Sequence, residues 1–338
     1  MKEGSGEEQN VAPSVYSHVS RPGSHRYKNA KKGLPFNVML VGESGLGRTT
    51  FLNTLCERVV VDAAGKQVSS EQAHIAEPMQ FKHYTVEMEE DGMKIILNVI
   101  DTPGFGDGID NENCFMQIQE YIEVQFDEVL AEENRIKRNT KFKDSRVHAL
   151  LYFITPTGHS LREIDVELMR RLGSRTNIIP VIGRSDSLTP RELVLFKQRI
   201  MNDIAQHSIP IFSFPDAEEG DEGDEENVEE NAELRAMLPF AVVGCEEVIN
   251  EDGRPVRVRS YPWGVVQVDN DAHSDFDRLR YVLLNSHIGD LRDRTHNEIY
   301  ERYRTEKLSG TVPAQAMALA GDEPSVLEAM GMQHTVAA

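Results

Sequence analysis

Short apolar runs alternate with amphipathic stretches through the middle of the chain, and that alternation predicts its elements. Phe36–Val41 is a mostly apolar run ending at Gly42, as in a buried parallel strand. A glycine-rich turn follows, and Thr49–Glu57 then reads as a helix. Residues 60–80 show no period and read as a loop. Tyr84–Glu89 and Met93–Ile100 are β-rich and flank the turn Glu90-Asp91-Gly92, which makes a hairpin. Phe115, Ile118, Ile122, Phe126 and Val129 recur every three to four residues, the stripe of an amphipathic helix. Arg146–Ile154 reads as a strand, Leu161–Leu172 as a helix and Ile178–Ile182 as a strand. Thr189-Pro190-Arg191-Glu192 opens a further helix with a capping box and proline at its first position. Ile209–Phe214 is strand-like and Pro239–Gly244 is an apolar strand. A helical region runs from about Asp275 to Lys307, with a break near His287–Gly289. Strands alternating with helices predict an α/β domain with a largely parallel sheet between helical layers. Tyr261–Gly264 lies beyond that core and begins an extra module with the C-terminal helices.

The chain has 338 residues, enough to bury a core without staples. No run approaches the roughly 18 apolar residues of a membrane span. The N-terminus is acidic and polar, unlike a secretory signal. Cys56, Cys114 and Cys245 are too scattered for a disulfide framework or a zinc site, which suits a reducing cytosol. A net charge of −20 argues against nucleic acid as a partner. The charge is unevenly spread. Asp216–Glu233 holds 11 acidic residues and no basic one, and reads as a solvated insertion. Gln9–Gly42 holds no acid, yet carries Arg21, Arg26, Lys28, Lys31 and Lys32. Residues 1–30 have no periodicity and are expected to form a disordered arm.

Gly42-Glu43-Ser44-Gly45-Leu46-Gly47-Arg48-Thr49 fits the phosphate-loop pattern with arginine in place of lysine. Glycines let backbone N–H groups wrap phosphate oxygens, and the following helix N-terminus adds partial positive charge. The Thr49 hydroxyl is the expected Mg²⁺ ligand. Asp101-Thr102-Pro103-Gly104 closes the next long strand. Asp101 there would hold Mg²⁺ through water, and Gly104 would offer its N–H to a γ-phosphate. Gly183-Arg184-Ser185-Asp186 ends a later strand. A carboxylate at Asp186 can accept two hydrogen bonds from a guanine edge, which adenine does not offer, and Arg184 could cover the base. Gly244 ends a further strand where backbone can approach the base. Together these segments point to a guanine-nucleotide domain.

At this point the sequence resembles a septin over about residues 31–307. The resemblance is carried by Ser260-Tyr261-Pro262-Trp263-Gly264-Val265-Val266, similar to the septin unique element. Thr157-Gly158-His159-Ser160-Leu161 and the basic Lys31-Lys32-Gly33 add to it. The arginine-containing phosphate loop and Gly183–Asp186 most resemble fungal septins that sit at the ends of hetero-oligomeric rods. The resemblance implies a P-loop GTPase-like fold of three layers, with the unique element and terminal helices at about 246–307 and a tail at 308–338. It implies GTP or GDP as ligand, with Gly42, Gly45, Leu46, Gly47, Arg48, Thr49, Thr50 and Gly104 around the phosphates. Arg184, Asp186, Gly244 and Arg259 would hold guanine, Arg259 by stacking on the base. His159, Glu192 and Trp263 would form the nucleotide-side interface with another septin, and the terminal helices a second interface. Filaments on anionic membrane at the cell cortex, septum or bud neck would follow, in the service of cytokinesis. Arg26, Lys28, Lys31 and Lys32 would meet phosphoinositide headgroups.

Three departures bear on function. Arg48 is longer and planar where lysine is a compact charge. Pro78 stands where hydrolysing septins carry a switch threonine, and Phe105 rather than a water-orienting glutamine follows Gly104. Hydrolysis is therefore expected to be weak or absent. Residues 309–338 carry Gly310, Pro313, Gly321 and Pro324 and no heptads, so no coiled coil is expected. An actively cycling regulatory GTPase would need the missing switch groups. A P-loop ATPase or kinase would leave Asp186 and the Tyr-Pro-Trp-Gly segment without a role.

Overall fold

A computed structural model describes residues 33–61, 81–106, 111–137, 139–140, 142–215, 225–251 and 254–310. In chain order the elements are β1 (Leu34–Gly42), α1 (Arg48–Leu55), β2 (Lys82–Glu90), β3 (Met93–Asp101), α2 (Glu112–Glu133), β4 (Ala149–Ile154), α3 (Glu163–Gly173), β5 (Ile178–Ile182), α4 (Pro190–Gln206), α5 (Glu225–Met237), β6 (Phe240–Ala241), β7 (Val248–Glu251), β8 (Arg254–Tyr261), β9 (Gly264–Gln267), α6 (Phe276–Tyr281), α7 (Ile288–Arg294) and α8 (Glu301–Ser309). Six strands form one sheet in the order β2-β3-β1-β4-β5-β6. Only β2 runs antiparallel, paired with β3 through the predicted hairpin. Every residue of β4 and β5 is buried, which is why both read as unbroken apolar runs. The edge strand β2 instead alternates and carries Lys82, Glu87, Glu89 and Glu90 on its accessible positions.

Helices cover both faces of the sheet. Phe51, Leu52 and Leu55 of α1 share one core with Phe276 and Leu279 of α6. Phe115, Ile118, Ile122 and Phe126 of α2 share the other with Leu168, Phe196 and Tyr300. The α2 stripe is thus the face that the sequence period predicts. The capping box at Thr189 also forms: its hydroxyl accepts from the Glu192 N–H, and the Glu192 carboxylate accepts from the Thr189 N–H.

Four sequence readings are amended. The strand expected from Arg146 begins only at Ala149, because side chains take over the ladder before it. The Asn37 amide donates to the Arg146 carbonyl at 2.8 Å, and the Asn37 N–H donates to His148 Nδ1 at 2.9 Å. Ile209–Phe214 is no strand. Pro210 has no N–H to give, and the segment adds one sheet-type bond, Phe212 N–H to the Ile178 carbonyl at 2.8 Å. The strand expected over Pro239–Gly244 shrinks to Phe240–Ala241. Its partner β5 ends at Ile182, so the ladder stops with the Val242 N–H on the Ile182 carbonyl at 2.9 Å; on the outer edge Ala241 N–H goes to Asp275 at 2.7 Å and Val243 N–H to the Ser274 hydroxyl at 3.1 Å. Finally, the second half of the acidic insertion is helical, as α5. Leu234 is buried, and Asn231 ties the helix to the Pro215 carbonyl and to His287.

The C-terminal helices follow from the predicted break. α6 widens into a π-turn at Val282–Ser286, the chain bends at His287, and α7 passes through a second π-turn at Thr295–Tyr300 into α8. Asn177, just before β5, fastens this arm. Its amide donates to the carbonyls of His148 and Leu291 and to the Thr295 hydroxyl, all within 3.0 Å.

A compact β-meander, β7-β8-β9, forms a separate small sheet. Pro262 and Trp263 make the two-residue turn of its second hairpin. The first half of the acidic tract, the basic arm with Arg26, Lys28, Lys31 and Lys32, the segment with Pro78 and the tail beyond Gly310 lie outside the described residues. Among the described residues no helix is long and apolar enough to cross a membrane.

Candidate functional site

The C-terminal ends of β1, β3, β5 and β6 meet at one edge of the sheet, and the loops leaving them build a single site. Residues 43–47 turn from β1 into α1. Gly47 caps α1 with φ 80°, a left-handed conformation natural to glycine. Around Gly45 no heavy atom lies within 4 Å of where a Cβ would sit, so the mouth of the loop is open. The first turn of α1 holds Arg48, Thr49 and Thr50, and the N-terminal end of a helix is a position that favours an anion. Leu46 is buried beneath the loop. Gly104 packs on the loop from the β3 side, where a Cβ would stand 2.6 Å from the Ser44 nitrogen. Gly42 and Phe153 are as close, with 2.7 Å between a built Cβ and the Phe153 Cβ. The cradle fits a chain of phosphates.

A brace not read from the sequence holds this loop. Glu43 accepts from the Thr155 hydroxyl at 2.6 Å and from Arg162 at 2.8 Å. Arg162 also donates to Asp165, whose other oxygen accepts from the buried Tyr152 hydroxyl at 2.9 Å. The two carboxylates raise the Arg162 pKa, and burial with Asp165 nearby raises that of Tyr152. The phosphate loop is therefore pinned to β4 and α3.

Arg48 takes an unexpected place. Its guanidinium donates to the Thr102 carbonyl at 2.7 Å and the Thr102 hydroxyl at 3.1 Å, and stands 3.6 Å from Asp101 Oδ1. The side chain is only 10% exposed. Burial lowers its pKa and Asp101 opposes that shift. The sequence reading gives Asp101 and Thr49 to a divalent metal. In the structure a fixed organic cation already lies against Asp101, so this corner fits a second, divalent cation poorly.

At the other end, β5 runs into a 3₁₀ turn at Ser185–Ser187. Arg184 enters it with φ 50° and lies over the phosphate loop, 3.4 Å from the Gly45 carbonyl. The Asp186 side chain is 2% exposed. It accepts a hydrogen bond from the Tyr261 hydroxyl and pairs with Arg259 at 3.3 Å, both through Oδ2. Gly244 packs on α1, where a Cβ would be 2.9 Å from the Phe51 nitrogen.

The structure thus brings together Gly42, Gly45, Leu46, Gly47, Arg48, Thr49, Thr50, Asp101, Gly104, Arg184, Asp186, Gly244 and Arg259. His159, Glu192 and Trp263 lie outside the pocket on accessible surface. Trp263 is 81% exposed at the hairpin turn.

A family model described as Septin matches residues 32–316. The chain is a septin. It is 52% identical over 284 residues to "Septin homolog spn3" of Schizosaccharomyces pombe, covering 83% of this chain and 75% of that one. It is 51% identical over 286 residues to "Cell division control protein 11" of Saccharomyces cerevisiae, covering 84% and 68%. A crystal structure of Cdc11 from Saccharomyces cerevisiae aligns with a TM-score of 0.56 at 41% identity, over 81% of this chain and all of that one. The septin GTPase domain from Chlamydomonas reinhardtii aligns at 0.61 with 27% identity, over 81% and 99%. As a septin, the chain carries a guanine-nucleotide-binding α/β domain and works as a subunit among other septins.

Proposed function

We propose that this septin is a scaffold subunit of hetero-oligomeric rods and filaments at the division site, in which any guanine nucleotide is a fixed part of the interface and is not turned over. "Cell division control protein 11" of Saccharomyces cerevisiae and "Septation protein 7" of Candida albicans, the latter at 42% identity, support the division site. The observation that carries the static nucleotide is Arg48 on Thr102 and Asp101. A bound nucleotide would contribute charge at its phosphates and a hydrogen-bonding base edge. The residues of the chain do the rest. The first turn of α1 receives the phosphates, Gly104 closes on the loop, and the Glu43–Arg162 brace keeps it in place. The residue after Gly104 is Phe105, which is buried in the core and has no polar group to orient an attacking water. The exposed Trp263, with His159 and Glu192 also exposed, supports an interface with a neighbouring septin on the nucleotide side. The terminal helices would supply the second interface.

Single-turnover incubation of the isolated, Mg²⁺-supplied protein with GTP tests the reading. The expected result is GTP recovered intact; measurable conversion to GDP would refute it. The basic arm, on its sequence alone, would add attraction to phosphoinositide, about 1 kcal/mol per residue near an anionic surface and screened by salt. Changing Lys31 and Lys32 to glutamate should lower pelleting with phosphoinositide-containing liposomes severalfold. Unchanged pelleting would remove the membrane role.

A further inference from the structure

We propose that Tyr261 is a built-in competitor for the guanine edge, and that its displacement couples the nucleotide pocket to the exposed Trp263 hairpin. The starting point is Asp186, a carboxylate with 2% of its side chain exposed. A buried carboxylate needs donors in every state of the protein. Here the donors come from β8: the Tyr261 hydroxyl and the Arg259 guanidinium, both on Oδ2. A guanine edge also offers two N–H donors to one carboxylate. The phenol and guanidinium therefore occupy Oδ2, one of the two oxygens that a base would use. Burial, and after it the Asp186 carboxylate, raise the Tyr261 pKa, which keeps its hydroxyl a donor across neutral pH.

Three contacts bind this tyrosine to the hairpin tip. Its ring stacks on Trp263 with centroids 5.0 Å apart and planes within 11°. The Arg259 guanidinium lies over the same ring, 5.4 Å from its centre. Tyr261 pairs with Gly264 as the last rung before the Pro262-Trp263 turn. A base that uses both oxygens of Asp186 must take the hydroxyl's place on Oδ2, and the ring cannot leave without unstacking the indole or carrying it along. Trp263 is almost fully exposed, so any such movement reshapes the surface offered to a neighbour. By reciprocity, a neighbour that draws Trp263 outward would free Asp186 and favour nucleotide. This inference rests on the nucleotide-binding reading above.

The sequence contains a single tryptophan, so its fluorescence reports the hairpin alone. Nucleotide-stripped full-length protein and its Tyr261→Phe variant would be titrated with GDP, following Trp263 emission and, separately, binding of a fluorescent GDP analogue. The phenylalanine keeps the ring and its stack but leaves Asp186 short of a donor until guanine supplies one. The variant is expected to bind GDP at least about tenfold more tightly, the worth of one hydrogen bond to a charged group. GDP is expected to change Trp263 emission in the unaltered protein, a readout that does not depend on the variant folding. Equal affinity of the two proteins, or saturation by GDP with unchanged emission, would overturn the inference while leaving the nucleotide site standing. No GDP binding by either protein would overturn both the inference and the nucleotide reading.

Discussion

Replacing Gly104 with alanine is expected to weaken guanine-nucleotide binding by about a hundredfold or more while the domain stays folded. The added Cβ would fall 2.6 Å from the Ser44 nitrogen and 2.7 Å from its Cα, both backbone atoms. Neither can swing aside as a side-chain tip would. Ser44 belongs to the phosphate loop, and the loop is pinned from the other side by Glu43 on Thr155 and Arg162. The strain must therefore displace the loop's N–H groups or the segment after Asp101, and each receives the phosphates in the reading proposed above. Overpacking of this kind costs roughly 1–3 kcal/mol of stability, less than the roughly 5–15 kcal/mol by which a native domain is stable. A calorimetric titration with GTP, beside a urea unfolding curve, separates the two effects. Wild-type affinity in the variant would show that the loop does not hold the phosphates.

Lowering the pH from 7 to 5 is expected to destabilise the domain by roughly 4 kcal/mol through two buried histidines. Burial holds the His287 pKa down at about 4 and lowers that of His148 further. His148 accepts from the Asn37 N–H through Nδ1, so its neutral form is built into the sheet, with Arg146 and Arg292 nearby opposing a charge and Asp144 favouring one. His287 bonds Asn231 through Nε2 and Ser286 through Nδ1, with Asp290 at 4.0 Å. Both folded-state values lie below the ordinary 6.5 of the unfolded chain. Between pH 6.5 and about 4 the unfolded state binds more protons, so stability falls as pH drops through that window and is fully present above it. Each histidine costs about 1.4 kcal/mol per pH unit there. Glu90 and Asp290, whose pKa values burial raises, take up protons early in the folded state and oppose the trend at its acid end. Urea midpoints at pH 7, 6 and 5 give the slope directly. His287→Asn should remove roughly half of it; a flat profile would mean that neither imidazole is held neutral.

Much of this architecture is legible in the sequence because period and punctuation agree. The stripe from Phe115 to Val129, the capping box at Thr189 and the runs at Ile178–Ile182 and Leu150–Ile154 each allow one burial pattern only. Legibility fails where a partner distant in sequence decides. Val243 looks like a strand residue, but β5 ends before it and its N–H goes to Ser274, 31 residues on. Helix α5 escapes notice because its acidic residues mask the few apolar anchors, Leu234 among them. In the site, the residue types at Gly47, Asp101 and Asp186 announce their chemistry through spacing. What those side chains touch is not announced. Nothing in a Gly-Arg-Thr tripeptide says that the arginine will bend onto Thr102, and nothing in Tyr-Pro-Trp-Gly says that the tyrosine will reach an aspartate 75 residues earlier.

Arg48 lies 3.6 Å from Asp101, the carboxylate that the sequence pattern assigns to a divalent metal, and the static nucleotide proposed above follows from that contact. The most direct measurement is the affinity of the purified chain for GTP with Mg²⁺ and with the metal chelated. Equal affinities, within about twofold, are expected, since the cation at Asp101 belongs to the protein. A tightening of about tenfold or more on adding Mg²⁺ would place a metal at that corner and contradict it.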